Sequence, residues 1–327
     1  MKIGDIIFNQ RAVLLAPMED VTDGVFRKMC RKFGADLVFT EFVSADALIR
    51  NVNRTVNKIQ IDPEERPVAI QIYGKDPEAM AEAAKIAEEA APEIIDINFG
   101  CPARKIATKG AGAGLLRDIP LLMKITRHVV NAVKTPVTVK TRLGWDNNSK
   151  QIKEIALQLM DAGIKAITIH GRTREQMYKG SADWTLIKEV KQMPEITIPV
   201  IGNGDIRTPA EAEFAFNTFG VDAIMVGRAS IGAPWIFKEI TEYLTTGENK
   251  TWYSNAQKVD ILKQMLYENC EKSGEIRGIL HTRRHLAASP VFKALDNFRP
   301  LRIKMLRSES VQEIFSILDE VTNTYFA

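Results

Sequence analysis

Residues 94–102 read Ile-Ile-Asp-Ile-Asn-Phe-Gly-Cys-Pro. The alternation of apolar and polar residues predicts a short buried strand, and Gly100 and Pro102 predict that this strand ends in a loop. Cys101 therefore lies just past the carboxyl end of a strand. An unperturbed thiol has a pKa of about 8.5, so it is mostly protonated at neutral pH and is able to donate a proton as readily as it attacks as a nucleophile.

Seven further short apolar runs occur in the first two thirds of the chain. They are Val13–Ala16, Leu37–Phe39, Val68–Ile72, Val137–Thr141, Ala166–His170, Val200–Asn203 and Ala223–Val226. Each interval between them is long enough for a right-handed crossover connection. Eight β/α units over about 230 residues predict a TIM (β/α)8 barrel, with a doubly wound sheet as the alternative.

Helical spacing of apolar residues fills the intervals between these runs. The clearest segments are Pro77–Ala91, Ile119–Val133, Ser149–Ala162, Thr185–Gln192 and Pro209–Phe219. Beyond Pro234 no further strand is indicated, and the helical segments are Trp235–Leu244, Gln257–Lys272 and Val311–Tyr325. With a polar linker at 245–255, the pattern predicts a barrel domain at residues 1–244 and a small all-α domain at residues 245–327.

The composition is that of an ordinary soluble globular protein. The 327 residues are 45% hydrophobic and 26% charged, with a net charge of +3. The three cysteines have no zinc or disulfide spacing, and no stretch of about 18 apolar residues occurs, so we expect a cytoplasmic protein without a membrane segment. His281 and His285 are four residues apart but lack the glutamate of a zinc protease motif, so no metal site is expected.

Polar residues stand at the ends of seven of the eight predicted strands, where a TIM barrel places its functional groups. In chain order they are Pro17 with Met18, Gln71, Asn98 with Cys101, Lys140 with Arg142, His170 with Arg172, Asn203-Gly204-Asp205, and Gly227-Arg228. A single polar residue at a strand end would often be a structural residue with a hydrogen-bond or ion-pair partner. Polar residues at seven strand ends together favour a functional site. The glycines after the last two strands predict a phosphate site, to which Arg228 adds a charge-assisted contact.

Two of these side chains suit a planar, anionic ligand. Lys140, directed into the barrel mouth, would neutralise an anionic cofactor ring or a phosphate. The amide of Gln71 offers donors and an acceptor to the edge of a heterocycle.

The segment from Arg277 to Arg307 carries a net charge of +7, whereas the rest of the chain sums to −4. A solvated helix face is one explanation. The asymmetry, which includes Arg283 and Arg284, favours a surface for a phosphate backbone.

Taken together, these motifs resemble the tRNA-dihydrouridine synthases, most closely those of the bacterial B type. The similarity extends over essentially the whole chain. It is carried by Ala16-Pro17-Met18, residues 96–102, residues 168–174, Asn203-Gly204-Asp205-Ile206 and Gly227-Arg228.

The resemblance implies FMN at the barrel mouth, NADPH or NADH as reductant, and uridines of the tRNA D-loop as substrate. It implies that Pro17, Met18, Gln71, Lys140 and His170 contact the flavin and that Asn203, Gly204, Asp205, Gly227 and Arg228 hold its phosphate end. Cys101 would be the proton donor, and Asn98, Arg142 and Arg172 would approach the uridine, with Arg283 and Arg284 on the tRNA. Glu19 departs from the small residue usual in the family.

Two other functions remain open on the sequence. A small-molecule flavin reductase of the dihydroorotate or dihydropyrimidine dehydrogenase type would share the barrel and the cysteine, but it would not need the basic C-terminal segment. An RNA-binding protein with an inert barrel would not need Cys101 or Lys140. We expect the protein to be a monomer.

Overall fold

The structure is a computed structural model that describes residues 1–248, 250–293 and 295–326. Eight parallel strands are arranged in a single cycle. They are β1 (Ala12–Leu15), β2 (Val38–Phe39), β3 (Val68–Tyr73), β4 (Ile94–Asn98), β5 (Val137–Arg142), β6 (Ile167–His170), β7 (Val200–Asn203) and β8 (Ala223–Val226). Neighbours in sequence pair with each other, β8 pairs with β1, and a bridge between Leu14 and Leu37 joins β1 to β2. The predicted TIM barrel is confirmed.

The two faces of each strand pack in different places. Leu14, Ala69 and Ile94 point into the barrel and form an inner apolar cluster, whereas the alternate residues pack against the helices. A hairpin of Lys2–Ile3 and Ile6–Ile7 adds apolar residues to the inner cluster. The inner residues at the carboxyl ends of the strands are polar instead, and this arrangement places the candidate site at that end.

The helices around the barrel are α1 (Gly24–Lys32), α2 (Ala45–Ile49), α3 (Asn53–Lys58), α4 (Pro77–Glu89), α5 (Arg104–Ala107), α6 (Ile119–Ala132), α7 (Ile152–Asp161), α8 (Thr185–Gln192), α9 (Pro209–Phe219) and α10 (Ile236–Thr246). All five predicted crossover helices are present. The first turn predicted at Ser149 is absent because the Ser149 hydroxyl bonds to Asp146 in a turn, and α7 begins at Ile152. Short strand Val43–Ser44 pairs with β3.

Four further helices follow: α11 (Asn255–Ser273), α12 (Glu275–Ala288), α13 (Arg299–Arg307) and α14 (Val311–Tyr325). We call them the helical unit. α11 and α14 were predicted, whereas α12 and α13 were not. α11 and α12 cross closely at Gly278, where a Cβ atom would lie 2.4 Å from the Cys270 backbone. Nowhere in the described ranges does a helix have the length and apolar character needed to span a membrane.

The helical unit docks against the barrel through α12. The Gly232 backbone N–H donates to His285 Nδ1 (3.1 Å), and the His285 ring lies 4.4 Å from that of Phe26. Gly232 has a φ of +66°, and a Cβ there would lie 2.1 Å from the His285 carbonyl oxygen, so this close approach requires glycine. The predicted domain boundary between residues 244 and 245 falls inside α10, which continues through Thr246, and it stays a prediction.

Candidate active site

A cavity of about 970 Å³ opens at the carboxyl ends of the barrel strands. This volume is at the upper end of the range for small-molecule and cofactor sites. Fourteen of the sixteen residues predicted for the site line it: Pro17, Met18, Gln71, Asn98, Cys101, Lys140, Arg142, His170, Asn203, Gly204, Asp205, Gly227, Arg228 and Arg284. The helical unit forms part of one wall through Arg284 of α12, and Lys293, between α12 and α13, also lines the cavity.

Cys101 lies on a loop that the carboxyl end of β4 holds in place. The side-chain oxygen of Asn98 accepts the backbone N–H groups of Gly100 (2.9 Å) and Cys101 (2.8 Å). The thiol lines the cavity and is partly buried. Burial raises the pKa of the Cys101 thiol above its ordinary value, so the group is protonated at neutral pH. It is therefore suited to donate a proton into the cavity.

A hydrogen-bonded row of side chains lies beneath this loop. Gln71 Nε2 donates to Asp96 (2.6 Å), and Gln71 Oε1 accepts from Asn98 Nδ2 (2.8 Å). Thr138 donates to the other oxygen of Asp96 (2.6 Å). Asp96 is fully buried, and burial raises its pKa to about 6. Sequence reasoning gave Asp96 no role, although an acid within a buried strand is itself a signal.

Lys140 and Arg142 bring positive charge to the mouth from β5. The Lys140 ammonium donates to the neutral amide oxygen of Asn203 (3.0 Å), and burial lowers its pKa to about 8, so it remains mostly charged at neutral pH. The Arg142 guanidinium donates to the carbonyl oxygens of Gly100 (2.7 Å) and Thr173 (3.0 Å). Burial lowers the pKa of Arg142 to about 10. A buried guanidinium and a partly buried ammonium, both held by neutral oxygens, are suited to an anionic ligand.

His170 is buried beside these cations at the end of β6. Burial, followed by the nearby charge of Arg142, lowers its pKa well below the ordinary value. The imidazole is therefore neutral and offers one donor and one acceptor.

The loops after β7 and β8 bring backbone close to the cavity. Gly204 has a φ of +127°, and a Cβ there would lie 3.0 Å from the His170 ring and 2.7 Å from Ala182. At Gly227 a Cβ would meet protein atoms only at 3.5 Å or more. The Asp205 carboxylate accepts from Arg228 (3.0 Å) and from the Ala182 N–H (2.8 Å). It therefore orients a guanidinium at the mouth.

Two predicted site residues do not line the cavity. Arg172 is 1% exposed, and its guanidinium donates to Asp205 (2.6 Å) and to the carbonyl oxygen of Lys179 (3.1 Å). Arg283 lies on α12 and donates to the carbonyl oxygen of Ser308 (3.0 Å) in the helical unit. A side chain at a strand end or on a basic helix does not have to face the mouth, and these two face other parts of the protein.

Of the cavity residues outside the predicted set, Tyr178 and Glu19 make contacts that bear on the site. Tyr178, in the loop after β6, is half exposed, and its ring centre lies 5.6 Å from the Arg142 guanidinium and 5.0 Å from that of Arg228. Glu19 lines the cavity and pairs with Lys58 (2.7 Å). Oxygens of Glu19, Asp20 and Glu41 lie within 4.8 Å of one another, and Lys58 lies 3.0 Å from Glu41. This lysine already supplies the cluster with positive charge.

Comparisons with known proteins point to one family over most of the chain. A sequence model of the dihydrouridine synthase family matches residues 14–321. A probable tRNA-dihydrouridine synthase of Rickettsia prowazekii is 42% identical over 287 residues, which are 88% of this chain and 87% of the relative. The tRNA-dihydrouridine synthase B of Shewanella oneidensis is 38% identical over 307 residues, which are 94% of each protein.

Solved structures share the fold at low sequence identity. A 2-naphthoyl-CoA reductase complex has a TM-score of 0.57 at 13% identity, over 74% of this chain, which spans about half (51%) of that one. A variant of NCR from Zymomonas mobilis has a TM-score of 0.53 at 16% identity, over 74% of this chain and 89% of that one.

Proposed function

The chain belongs to the dihydrouridine synthase family, and we propose that it reduces the C5=C6 bond of D-loop uridines in tRNA. It is an oxidoreductase whose chemistry depends on a flavin. The observation that carries the proposal is the position of the Cys101 thiol, whose pKa is raised by burial, in a cavity also lined by Lys140 and Arg142. A proton donor beside buried cations suits the reduction of a base that develops negative charge.

Flavin mononucleotide is the flavin in this proposal, and the cavity residues fit it. The Lys140 ammonium, Gln71 and the neutral His170 would contact the ring system, with Pro17 and Met18 packed against it. Asn203, Gly204, Asp205, Gly227 and Arg228 would hold the phosphate end, the glycines through their backbone and Asp205 through its bond to Arg228. Bound there and reduced by NADPH or NADH, the cofactor would supply the hydride for C6 of the uracil.

The protein's own residues complete the reduction. The Cys101 thiol would deliver a proton to C5 and become a thiolate. Hydride and proton together would saturate the double bond. Asn98 and Arg142 line the cavity beside it, and they would bind the uracil carbonyl oxygens. A stacked uridine cannot reach a barrel mouth, so the target base must flip out of the tRNA.

The two arginines outside the cavity take different roles in this proposal. Arg172 acts through Asp205, whose carboxylate it shares with Arg228. Arg283 holds α12 to the end of α13, where Ser308 lies. Arg284 is the member of the pair that would meet the tRNA, because it lines the mouth and its guanidinium contacts Glu19 and Asp20.

The helical unit would bind the tRNA backbone. Residues 245–327 form the tRNA-binding domain in this proposal and residues 1–244 the catalytic one. Arg299, Arg302 and Arg307 are exposed on α13, which supports contact with phosphates. A monomer in the cytoplasm, without a metal, is the form in which we propose that the protein works.

Anaerobic reoxidation of the bound flavin tests the function. The flavin is reduced with NADPH, and the protein is mixed with unmodified bulk tRNA, free uracil or orotate. Rapid return of the oxidised-flavin absorbance with tRNA alone is the expected result. Rapid oxidation by orotate or uracil and none by tRNA would identify a small-molecule reductase and overturn the proposal.

A further inference from the structure

Asp96 lies at one end of a row of hydrogen bonds beneath the cavity. An ionised carboxylate only accepts hydrogen bonds. The Gln71 amide must therefore turn its NH2 group toward Asp96, at 2.6 Å, and its oxygen toward Asn98, whose Nδ2 donates to it at 2.8 Å. Asp96 itself is fully buried and does not line the cavity.

The other end of the row is fixed as well. Asn98 Oδ1 faces the backbone N–H groups of Gly100 (2.9 Å) and Cys101 (2.8 Å), which only donate. With an acceptor at one end and two donors at the other, the two amides have one arrangement in which every bond pairs a donor with an acceptor. Each amide then keeps one further N–H, and both Gln71 and Asn98 line the cavity.

We propose that Asp96 is a positioning residue that holds the Gln71 and Asn98 amides with their free N–H groups available to the cavity and thereby fixes the loop that carries Cys101. The inference deepens the proposed function in one respect, since carbonyl oxygens of the flavin and the uracil would accept those N–H groups. The placement of the Cys101 loop does not depend on the identity of the substrate.

If Asp96 had a purely structural role, the loss of its bond to Gln71 and the loss of its bond to Thr138 would have the same effect. Its second oxygen accepts from Thr138 (2.6 Å), a bond of the same length and the same depth that leads to no cavity residue. Thr138→Val removes this bond without touching Gln71 or Asn98. Because the Thr138 bond also helps to hold down the pKa of Asp96, the variant is compared with the unmodified protein at alkaline pH, where the carboxylate is ionised in both, and there it is a matched control. Asp96→Leu removes the acceptor for Gln71, and Asp96→Asn keeps an acceptor oxygen in the same place.

The first measurement needs no substrate. The full-length protein is treated with iodoacetamide without NADPH or tRNA, and the alkylation of Cys101 is followed by mass spectrometry of its peptide. We expect Asp96→Leu to react several-fold faster than the unmodified protein, because the Gln71 amide loses its partner and no longer holds the Asn98 amide in place beneath the Cys101 loop. Asp96→Asn and Thr138→Val should react at nearly the unmodified rate. The apparent Kd for FMN should rise about tenfold in Asp96→Leu alone.

The second measurement is flavin reoxidation by tRNA in a single turnover. Misplacement of a reacting group by about 1 Å lowers rates by roughly 100-fold, and we expect a loss of this size in Asp96→Leu. Asp96→Asn should restore the rate to within a few-fold. If the unmodified protein does not reduce tRNA, the proposed function fails, whereas the alkylation and FMN results still test the role of Asp96.

Two results would overturn the inference. One is an Asp96→Leu protein with unchanged alkylation, FMN binding and turnover. The other is a Thr138→Val protein as impaired as Asp96→Leu, which would make the carboxylate a packing group. If Asp96→Leu does not fold, Gln71→Met interrupts the row above Asp96 and must then accelerate the alkylation of Cys101; an unchanged rate would equally contradict the role.

Discussion

The barrel mouth and the helical unit both carry surplus positive charge, but they hold it differently. At the mouth, the Lys140 ammonium and the Arg142 guanidinium are fixed by neutral oxygens of Asn203 and Gly100. On the helical unit, Arg299 and Arg307 are exposed on α13. Buried charge in a fixed geometry stabilises particular atoms of a ligand, whereas exposed charge attracts a polyanion and is screened by salt. The mouth is thus suited to chemistry and the helical unit to affinity.

The sharpest test of this division is to remove the proton donor of the mouth. We expect Cys101→Ala to slow the reoxidation of reduced flavin by tRNA by about 10²–10⁴, the range for loss of a general acid. Reduction of the flavin by NADPH should be unchanged, because it does not use the thiol. Stopped-flow absorbance measures both half-reactions separately.

Cys270→Ala is the matched control, since Cys270 lies partly exposed on α11 in the helical unit. It should leave both half-reactions unchanged. Equal slowing of the two half-reactions in Cys101→Ala would contradict the assigned role and would indicate general damage to the cavity.

Helix α12 lies in the helical unit and also contacts the barrel through the buried His285. The titration of His285 should make the stability of the protein depend on pH. Burial lowers the pKa of His285 to about 4, from an ordinary value near 6.5. Between these values the unfolded chain binds more protons than the folded one, so stability falls as the pH decreases from about 6.5 toward 4. Linkage gives a loss of about 2–3 kcal/mol by pH 4.5 from this group.

Denaturant unfolding at several pH values measures this loss. His285→Gln keeps an acceptor for the Gly232 N–H and should flatten the acid limb relative to the unmodified protein. His128→Gln, at a partly exposed histidine on α6, should not flatten it. Parallel acid limbs for the unmodified protein and His285→Gln would show that the buried end of α12 does not set the acid stability.

The barrel was predictable because each of its strands is indicated by residues that are close together in the sequence. Alternating apolar runs, turn residues and crossover lengths define eight strands, and strand polarity then collects their carboxyl ends at one mouth. Helices α12 and α13 were missed for a physical reason. The buried face of α12 includes Gly278, Thr282 and His285, and Met305 is the one buried residue of α13, so neither has a plain apolar period.

The site was predictable only as far as strand position determines side-chain direction. Lys140 and His170 lie within their strands and do line the cavity. Arg172 lies two residues beyond β6, where the chain has left the strand, and its side chain turns to Asp205. The role of Asp96 depends on the register that sets it opposite Gln71 and Thr138, which single strands do not reveal.

A smaller effect is expected from the exposed charge of the helical unit. Arg299→Gln combined with Arg307→Gln should raise the KM for tRNA about tenfold and leave kcat unchanged. Each lost phosphate contact should lower the slope of log affinity against log salt by about 0.7–0.9. Lys165→Gln, at an exposed position before the amino end of β6, is the control and should change neither quantity. A fall in kcat at constant KM would place these arginines with the catalytic groups instead.

The exposed side of α12 should give the smallest effect, and it has the opposite sign. The Asp23 carboxylate, 3.5 Å from His281, raises the pKa of that imidazole above 6.5. The folded state then binds the proton more tightly, so this pair stabilises the protein below about pH 6.5, and the contribution is lost as the pH rises through the raised value. Because the side chain of His281 is 40% exposed, solvent screening limits the gain to a few tenths of a kcal/mol. Unfolding of His281→Gln should differ from that of the unmodified protein at pH 6 and converge with it at pH 8–9. A larger difference at the alkaline end would mean that His281 stabilises the junction by packing and not by charge.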